Sequence, residues 1–306
     1  MRIAVCAATY RRPQGLARLL EGLARLAFPA TPPEIRIIIV DNDEAGGGRD
    51  VCEAARAALT WPLEYVVEPQ RGISEARNAA LDHAGDAEWI AFIDDDEEPA
   101  PDWLAELIRV QRECDADVVA GPVASVFETP PPKWAAKGRF FQAARHATGT
   151  RLPYAFTSNV LFRASILRET GVRFDPALSL AGGGDRMFFQ RIGQAGYAIV
   201  WADDAVVRET VPASRMTRRW VWRRAFRYGV SGARIDGELR PGIATRLRIA
   251  ALGAYRVAKG TLLLLPTAPF GAHHVVTNVR HVCYGVGMWL GAAGYRYPEY
   301  RQTHGS

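Results

Sequence analysis

The sequence predicts an α/β protein, a mostly parallel sheet with helices on both faces, followed by a helical C-terminal extension. Three observations carry this. Near-continuous apolar runs alternate with segments of helical periodicity through the first 115 residues, polar clusters follow those runs directly, and beyond residue 210 the runs give way to long basic and amphipathic stretches.

Taken in order, RIAVCAA at residues 2–8 reads as a short buried strand. From Gly15 to Phe28, GLARLLEGLARLAF places Leu16, Leu19, Leu20, Leu23 and Leu26 at helical spacing. EIRIIIVDND is the second strand. A helix near 48–59, the strand LEYVVE, a helix through ISEARNAALDHA and the strand WIAFIDDD follow. Between 115 and 207, ADVVAGPVASVF and AFTSNVLFRA contain strand-like pieces. AGGGDRMFFQRIGQAGYAIVWADDA then predicts a helix from Asp185 to Gln194, a glycine break at 196 and a strand over 197–201. No internal repeat or low-complexity segment is evident.

The 306 residues are 48% hydrophobic and 23% charged, the composition of a folded chain, with disorder expected only after Tyr300. Four cysteines, Cys6, Cys52, Cys114 and Cys283, lie far apart without a CxxC pair, a reduced, cytosolic pattern that excludes a disulfide framework and a zinc site. Cys6 and Cys114 are expected to be buried. The first apolar run is too short for a secretory signal, and no stretch reaches the roughly 18 uninterrupted apolar residues of a membrane span. A cytoplasmic protein is expected. Its net charge of +5 conceals a basic block between Arg208 and Lys259, with 13 Lys or Arg against 3 Asp or Glu.

Ligands of such sheets collect at the carboxyl ends of the strands. Thr9 to Arg12, Asp41 to Asp43 and Asp94 to Asp96 each follow a strand, so all three should open on one edge. EWIAFIDDDEEPAPDW runs into five consecutive acids, Asp94, Asp95, Asp96, Glu97 and Glu98. Like charges this close repel unless a positive charge sits among them, and a divalent cation is the obvious candidate. A solvated acidic turn ending at Pro99 is the plain alternative, which convergence with the other two clusters disfavours.

Four motifs, CAATYRRP, VDND, IDDD and GGGDRMFFQRI, give the chain its resemblance to the inverting nucleotide-sugar glycosyltransferases of family 2. Over residues 1–230 it is similar in particular to bacterial members that build exopolysaccharide of the succinoglycan type. The resemblance implies a GT-A fold with a Rossmann-like sheet, and a catalytic domain over 1–210, divided into a nucleotide-binding half, 1–115, and an acceptor-binding half, 116–210. Residues 211–306 would be a basic, amphipathic helical region.

By that similarity Asp96 is the ligand of Mn²⁺ or Mg²⁺ and Asp94 a nucleotide contact, hard oxygen donors whose cation completes its shell with a UDP-sugar diphosphate. Asp95 is placed beside them in the nucleotide-sugar site, although as the middle residue of an extended segment its side chain should point away. Glu97 and Glu98 are expected to face solvent. Thr9, Tyr10, Arg11, Asp41, Asp43 and Arg77 are the remaining nucleotide-sugar contacts. Asp185 is the implied general base, taking the proton of an acceptor hydroxyl, with a plain helix N-cap as its alternative. Two departures stand out: Asn42 where many relatives carry Asp, and Gly184 before Asp185 where a Glu is usual.

Rival functions are weaker. A sugar-nucleotide pyrophosphorylase needs a glycine-rich loop after the first strand, which CAATYRRP lacks, and no G-x-G-x-x-G of a dehydrogenase follows any strand. A silent scaffold in polysaccharide assembly is disfavoured by intact Asp96 and Asp185. Trp134, Ser158 and Asn159 are candidate acceptor contacts. The block RMTRRWVWRRAFRYG offers Arg218, Arg219, Trp220, Arg223 and Arg224 to a phosphate-bearing acceptor or a membrane. No nucleic-acid module surrounds it.

From Ile243 to Leu265, Leu247, Ala251, Ala254, Ala258, Leu262 and Leu265 form one helical stripe, with Arg248, Arg256 and Lys259 beside it. HHVVTNVRHVCYGVGMWLGAAG is apolar but interrupted by Arg280 and His281. The expectation is peripheral attachment to the cytoplasmic face of an anionic inner membrane, with a lipid-linked or oligosaccharide acceptor. Packing on the catalytic domain or in a homo-oligomer is the alternative.

Overall fold

The computed structural model describes residues 1–143, 145–179 and 182–297. The tail expected to be disordered lies outside them.

The first half alternates as the hydrophobic runs require. β1 (Arg2–Thr9), α1 (Pro13–Ala24), β2 (Glu34–Asp41), α2 (Arg49–Ala55), β3 (Leu63–Val67), α3 (Ile73–His83) and β4 (Trp89–Ile93) form consecutive βα units. A three-residue strand, β5 (Glu97–Pro99), then leads into α4 (Trp103–Cys114). The second half contains β6 (Val118–Ala120), β7 (Val123–Phe127), α5 (Lys133–Gly138), β8 (Asn159–Arg163), α6 (Ser165–Thr170), α7 (Gly184–Gln194), β9 (Ile199–Trp201) and β10 (Val207–Val211). Three helices end the described chain: α8 (Arg218–Leu239), α9 (Ile243–Thr267) and α10 (Ala272–Ala292).

The main sheet has the order β3-β2-β1-β4-β8-β6-β9, parallel except for β8, which runs antiparallel to both neighbours. Helices cover both faces. Leu16, Leu19, Leu20 and Leu23 of α1 and Trp103, Leu104 and Leu107 of α4 pack on one, and Ala76 and Ala80 of α3 with Phe188, Phe189 and Ile192 of α7 on the other. Cys6 and Cys52 are buried, whereas Cys114, expected inside, is exposed at the end of α4 because the apolar side of that helix is already filled by its tryptophan and leucines. All four thiols are free, as their spacing requires.

A second sheet, β5-β10-β7, was not anticipated. β10 runs antiparallel to β5, pairing Glu209 with Glu97, and parallel to β7. It ties the segment after the acidic turn to the chain just before the C-terminal helices.

In those helices α10 lies between α8 and α9, and glycines bring the backbones together. A Cβ on Gly229 would sit 2.2 Å from the Tyr284 carbonyl, one on Gly291 2.3 Å from that of Val230, and one on Gly260 2.4 Å from that of Asn278. α9 therefore rests on α10 through Ile249, Gly253 and Gly260, and its other faces stay open. Leu247, Leu262 and Leu265 are 63%, 72% and 82% exposed. Ile243–Phe270 is, by length and composition, long and apolar enough to cross a membrane, and only 17% of its most apolar stretch is buried. The segment thus passes a test that the count of uninterrupted apolar residues failed, because Arg256 and Lys259 interrupt it.

Candidate active site

The carboxyl ends of β1, β2 and β4 meet at one edge. Thr9 ends β1 and donates to Asp95 Oδ2 at 2.8 Å. Arg12, opening α1, places Nη1 3.1 Å from Asp95 Oδ1 and 3.0 Å from Asp96 Oδ2. From the far end of the chain Arg215 brings Nη2 to 3.8 Å from the same Asp96 oxygen, while its Nη1 holds Glu209 at 2.5 Å. Arg77 Nη2 lies 3.6 Å from Asp94 Oδ1, its guanidinium over the Phe174 ring. α1 can approach so closely because residue 15 is glycine: a Cβ there would meet the Asp95 carbonyl at 2.8 Å.

Two expectations for the acidic run are overturned. Asp95 does not point away but is buried between Thr9 and Arg12, and Glu97, expected in solvent, is 3% exposed and accepts from the Asp94 amide at 3.0 Å. The physical reason is β5. Once Glu97 pairs with Glu209 in the second sheet, the chain cannot remain a surface turn. Glu98 is half-buried and held by Arg25 at 2.6 Å.

Burial drives the carboxyls toward protonation. Asp94 is pushed up to about 7, chiefly by burial and further by the charges of Asp96, Asp95 and Asp185, against the opposing pull of Arg77. Its carboxylate is nevertheless 42% accessible, deep in the protein but open to the cleft. Asp95 is raised to about 6 by burial, with Arg12 opposing, and burial also raises Glu97. Among the described residues no group of three or more His, Cys, Asp and Glu side chains is placed to hold a metal unaided. Hard carboxylate oxygens from Asp94 and Asp96, completed by a diphosphate and water, fit Mn²⁺ or Mg²⁺.

Asp185 lies within electrostatic reach of Asp94. It occupies the first turn of α7, where the helix dipole favours a carboxylate, and it is close enough to Asp94 to add to its repulsion. The N-cap position belongs to Gly183, so the plain capping role does not describe Asp185, whose Oδ1 accepts only the Arg186 amide, at 2.8 Å. Gly182 and Gly183, with φ of 72° and 91°, make the turn that points α7 at the cleft.

The β2 end is closed on itself. Asp41 is 1% exposed and accepts from the Asp43 and Gly48 amides and from Tyr65 Oη at 3.0, 2.8 and 2.7 Å. Both oxygens are engaged within the chain, and Asp41 shapes the loop at the end of β2. Asn42 donates to the Glu68 and Gln70 carbonyls and accepts from the Gly72 amide, lacing β2 to the start of α3. Asp43 is paired with Arg11 at 2.8 Å, and the Tyr10 ring lies beneath both Arg11 and Arg71.

On the acceptor side the candidates separate. Asn159 is not a ligand contact. It is 2% exposed, accepts from Trp103 Nε1 at 2.8 Å and donates to the Pro122 and Ala205 carbonyls at 3.0 and 2.7 Å. All its hydrogen-bonding directions join β8 to α4 and to the loops that follow β6 and β9. Ser158 is half-buried beside it, and the neighbouring Thr157 hydroxyl is buried without a hydrogen-bond partner. Trp134 packs against Phe140 under Arg218, and Trp220 stacks on Phe141 at 5.5 Å with Arg224 also over its ring. Arg223 reaches Tyr297 Oη, and Arg218 and Arg219 are exposed. Residue-by-residue reading missed Arg12 and Arg215. Both stood inside quoted stretches, Arg12 in CAATYRRP and Arg215 at the head of RMTRRWVWRRAFRYG, but nothing local says that Arg215 reaches Asp96.

With this geometry in place the chain can be compared with known proteins. The glycosyl transferase family 2 model matches residues 4–171, and that of glycosyl transferase family group 2 matches residues 89–290. The chain belongs to glycosyl transferase family 2. This family 2 chain is 34% identical over 281 residues to the succinoglycan biosynthesis protein ExoM of Rhizobium meliloti (strain 1021), covering 91% of the chain and 89% of that protein. Its fold is similar to that of the mannosyltransferase PcManGT of Pyrobaculum calidifontis in complex with GDP-Man and Mn²⁺, with a TM-score of 0.61, 20% identity and coverage of 94% and 86%. It is also similar to S. aureus TarS 1-349 in complex with UDP, with a TM-score of 0.53, 18% identity and coverage of 97% and 93%. The GT-A fold and the assignment as a glycosyltransferase follow.

Proposed function

We propose that this glycosyltransferase moves a sugar from a UDP-sugar, with inversion, to a hydroxyl of a saccharide acceptor in bacterial exopolysaccharide synthesis. The observation that carries the reading is Asp185 in the first turn of α7, close enough to Asp94 for their charges to repel. The named succinoglycan relative supports the pathway class, and the UDP complex of a structural neighbour supports the donor.

In this reading residues 1–210 form the catalytic domain, with the donor on the 1–115 half and the acceptor on the 116–210 half. Asp185 takes the proton of the acceptor hydroxyl as its oxygen attacks the anomeric carbon. The bond to the diphosphate breaks on the opposite face, and UDP departs. Asp96, with Asp94 beside it, would hold a divalent cation, which would supply Lewis acidity for the leaving diphosphate. Arg77 and Arg12 place positive charge along the path of the phosphates. Tyr10 offers its ring to the base once Arg71 moves aside.

Calorimetry with UDP tests the donor and cation together. UDP binds in Mn²⁺ and loses affinity in chelator, and Asp96→Ala removes the difference. Equal affinity in both conditions would exclude the metal role.

The outward face of α9 supports peripheral attachment at the cytoplasmic face of the membrane, with a lipid-linked acceptor. Leu247, Ala251, Ala254, Ala258, Leu262 and Leu265 point away from α10, and Arg248 and Lys259 flank them. Each arginine or lysine near anionic lipid adds about 1 kcal/mol. Flotation with anionic vesicles at low salt, lost at high salt, is the expected outcome. Failure to float at either salt would remove the membrane from the reading.

A further inference from the structure

The loop that carries Asp185 is held on two sides. From one side α3 grips the approach to it: Asn78 bonds both the amide and the carbonyl of Phe174, and Ser74 Oγ donates to the Asp175 carbonyl. From the other side stands α8. A Cβ on Gly183 would lie 2.8 Å from Ile235 Cδ1 and 3.3 Å from Ser231 Cβ, so the loop backbone is seated against that helix. Ile235 is 1% exposed and shares a buried cluster with Leu178 and Met187, residues on either side of the glycines.

Charge reinforces the seat. Arg186, the residue after Asp185, places Nη2 2.9 Å from Asp236 Oδ1, with its guanidinium over the Tyr154 ring. The second oxygen of Asp236 takes Arg248 of α9, also at 2.9 Å. One carboxylate thus holds the helix of the proposed base and the outermost C-terminal helix together. Without it the half-buried Arg186, whose Nε is already buried without a hydrogen-bond partner among the described residues, would lose its carboxylate partner beside Asp185.

We infer that α8 is the back wall of the Asp185 loop and that Asp236 is a positioning residue for Asp185, acting through Arg186. The C-terminal region then completes the active site rather than merely anchoring it. This rests on Asp185 being the base, and it assigns to the region after residue 211 a second part in the same reaction.

The test uses full-length protein and UDP release from UDP-glucose, UDP-galactose, UDP-glucuronate and UDP-N-acetylglucosamine, with turnover followed on the donor hydrolysed fastest. Asp236→Asn keeps the shape and removes the charge. Turnover falls ~10-fold or more, as for loss of a charge-assisted hydrogen bond, while UDP affinity by calorimetry stays within ~2-fold. Asp236→Glu restores part of the loss. Glu238→Gln, which removes the carboxylate partner of the part-buried Arg191 further along α7, leaves turnover unchanged within ~2-fold. Hydrogen exchange gives a second measurement independent of turnover: amides 182–191 exchange faster in Asp236→Asn than in wild type. Wild-type turnover with wild-type exchange in Asp236→Asn, or UDP affinity falling in step with turnover, overturns the proposal. Full turnover in Asp185→Asn overturns the base assignment and this inference together, whereas an inactive Asp185→Asn beside a fully active Asp236→Asn overturns this inference alone.

Discussion

The end of β2 and the outer face of α9 are opposites. At β2 every polar group has been used: Asp41, Asn42 and Asp43 are buried and bonded within the chain. On α9 the side chains that would normally seek burial are in the open, with Leu265 at 82% exposure. The first region is complete as a folded object and serves as scaffold. The second is incomplete, because a 25-residue helix that buries only Ile249, Gly253 and Gly260 leaves apolar surface that water does not favour. The acidic cluster lies between these extremes, bonded on one side by Arg12 and open on the other at Asp94.

The sharpest way to break this contrast is at the open part of the cleft. Asp185→Asn should lower turnover by about 10² to 10⁴ with donor affinity unchanged within a few-fold, the range of a lost general base. Rapid-quench or steady-state assays with a native acceptor decide it, and near-normal turnover would return Asp185 to a structural role.

Closed regions should respond in stability instead. Asn159→Ala removes three hydrogen bonds and leaves Trp103 Nε1 buried without an acceptor, so a loss of about 2–4 kcal/mol is expected from denaturant unfolding. An Asn159→Ala protein of normal stability but poor acceptor use would restore this residue to the binding site.

The outer helix should respond in neither. Leu262→Glu with Leu265→Glu should leave the unfolding midpoint nearly unchanged and weaken anionic-vesicle binding by about 10²-fold or more, since burial of each leucine is worth about 1.5–3 kcal/mol. A fall in thermal stability together with a shift from dimer to monomer in sedimentation would instead identify a second copy of the chain as what covers the face. The smallest effect is expected on α10, where Gly285→Ala crowds the Gly253 carbonyl at 2.6 Å and should cost about 1 kcal/mol in stability.

Much of this was legible because the main-sheet strands are nearly continuous apolar runs, and the helices between them carry leucines at regular spacing. The convergence of Thr9, Asp94 and Asp96 followed from topology alone. Glu97 was misread for the opposite reason: a three-residue strand has no periodicity, and its partner lies more than a hundred residues away. Asn159 sat beside real polar candidates, and only its three partners show that it is a staple. The α9 stripe was seen in the sequence, yet the same pattern serves a helix packed on protein and one facing lipid. Direction becomes visible only when Gly253 and Gly260 fix which side meets α10.

The pairing of β5 with β10 bears on the order in which the molecule is made. A chain emerging from the ribosome has every strand of the main sheet once Trp201 is available, and that sheet can close on local and mid-range contacts. The turn of Asp94 to Glu97 cannot, because the strand that buries Glu97 begins at Val207, and Arg215 follows later still. Contacts of such sequence separation form late. A nascent chain halted near residue 200 would therefore hold a folded sheet around an unfinished acid cluster, and donor binding would be among the last properties acquired during synthesis.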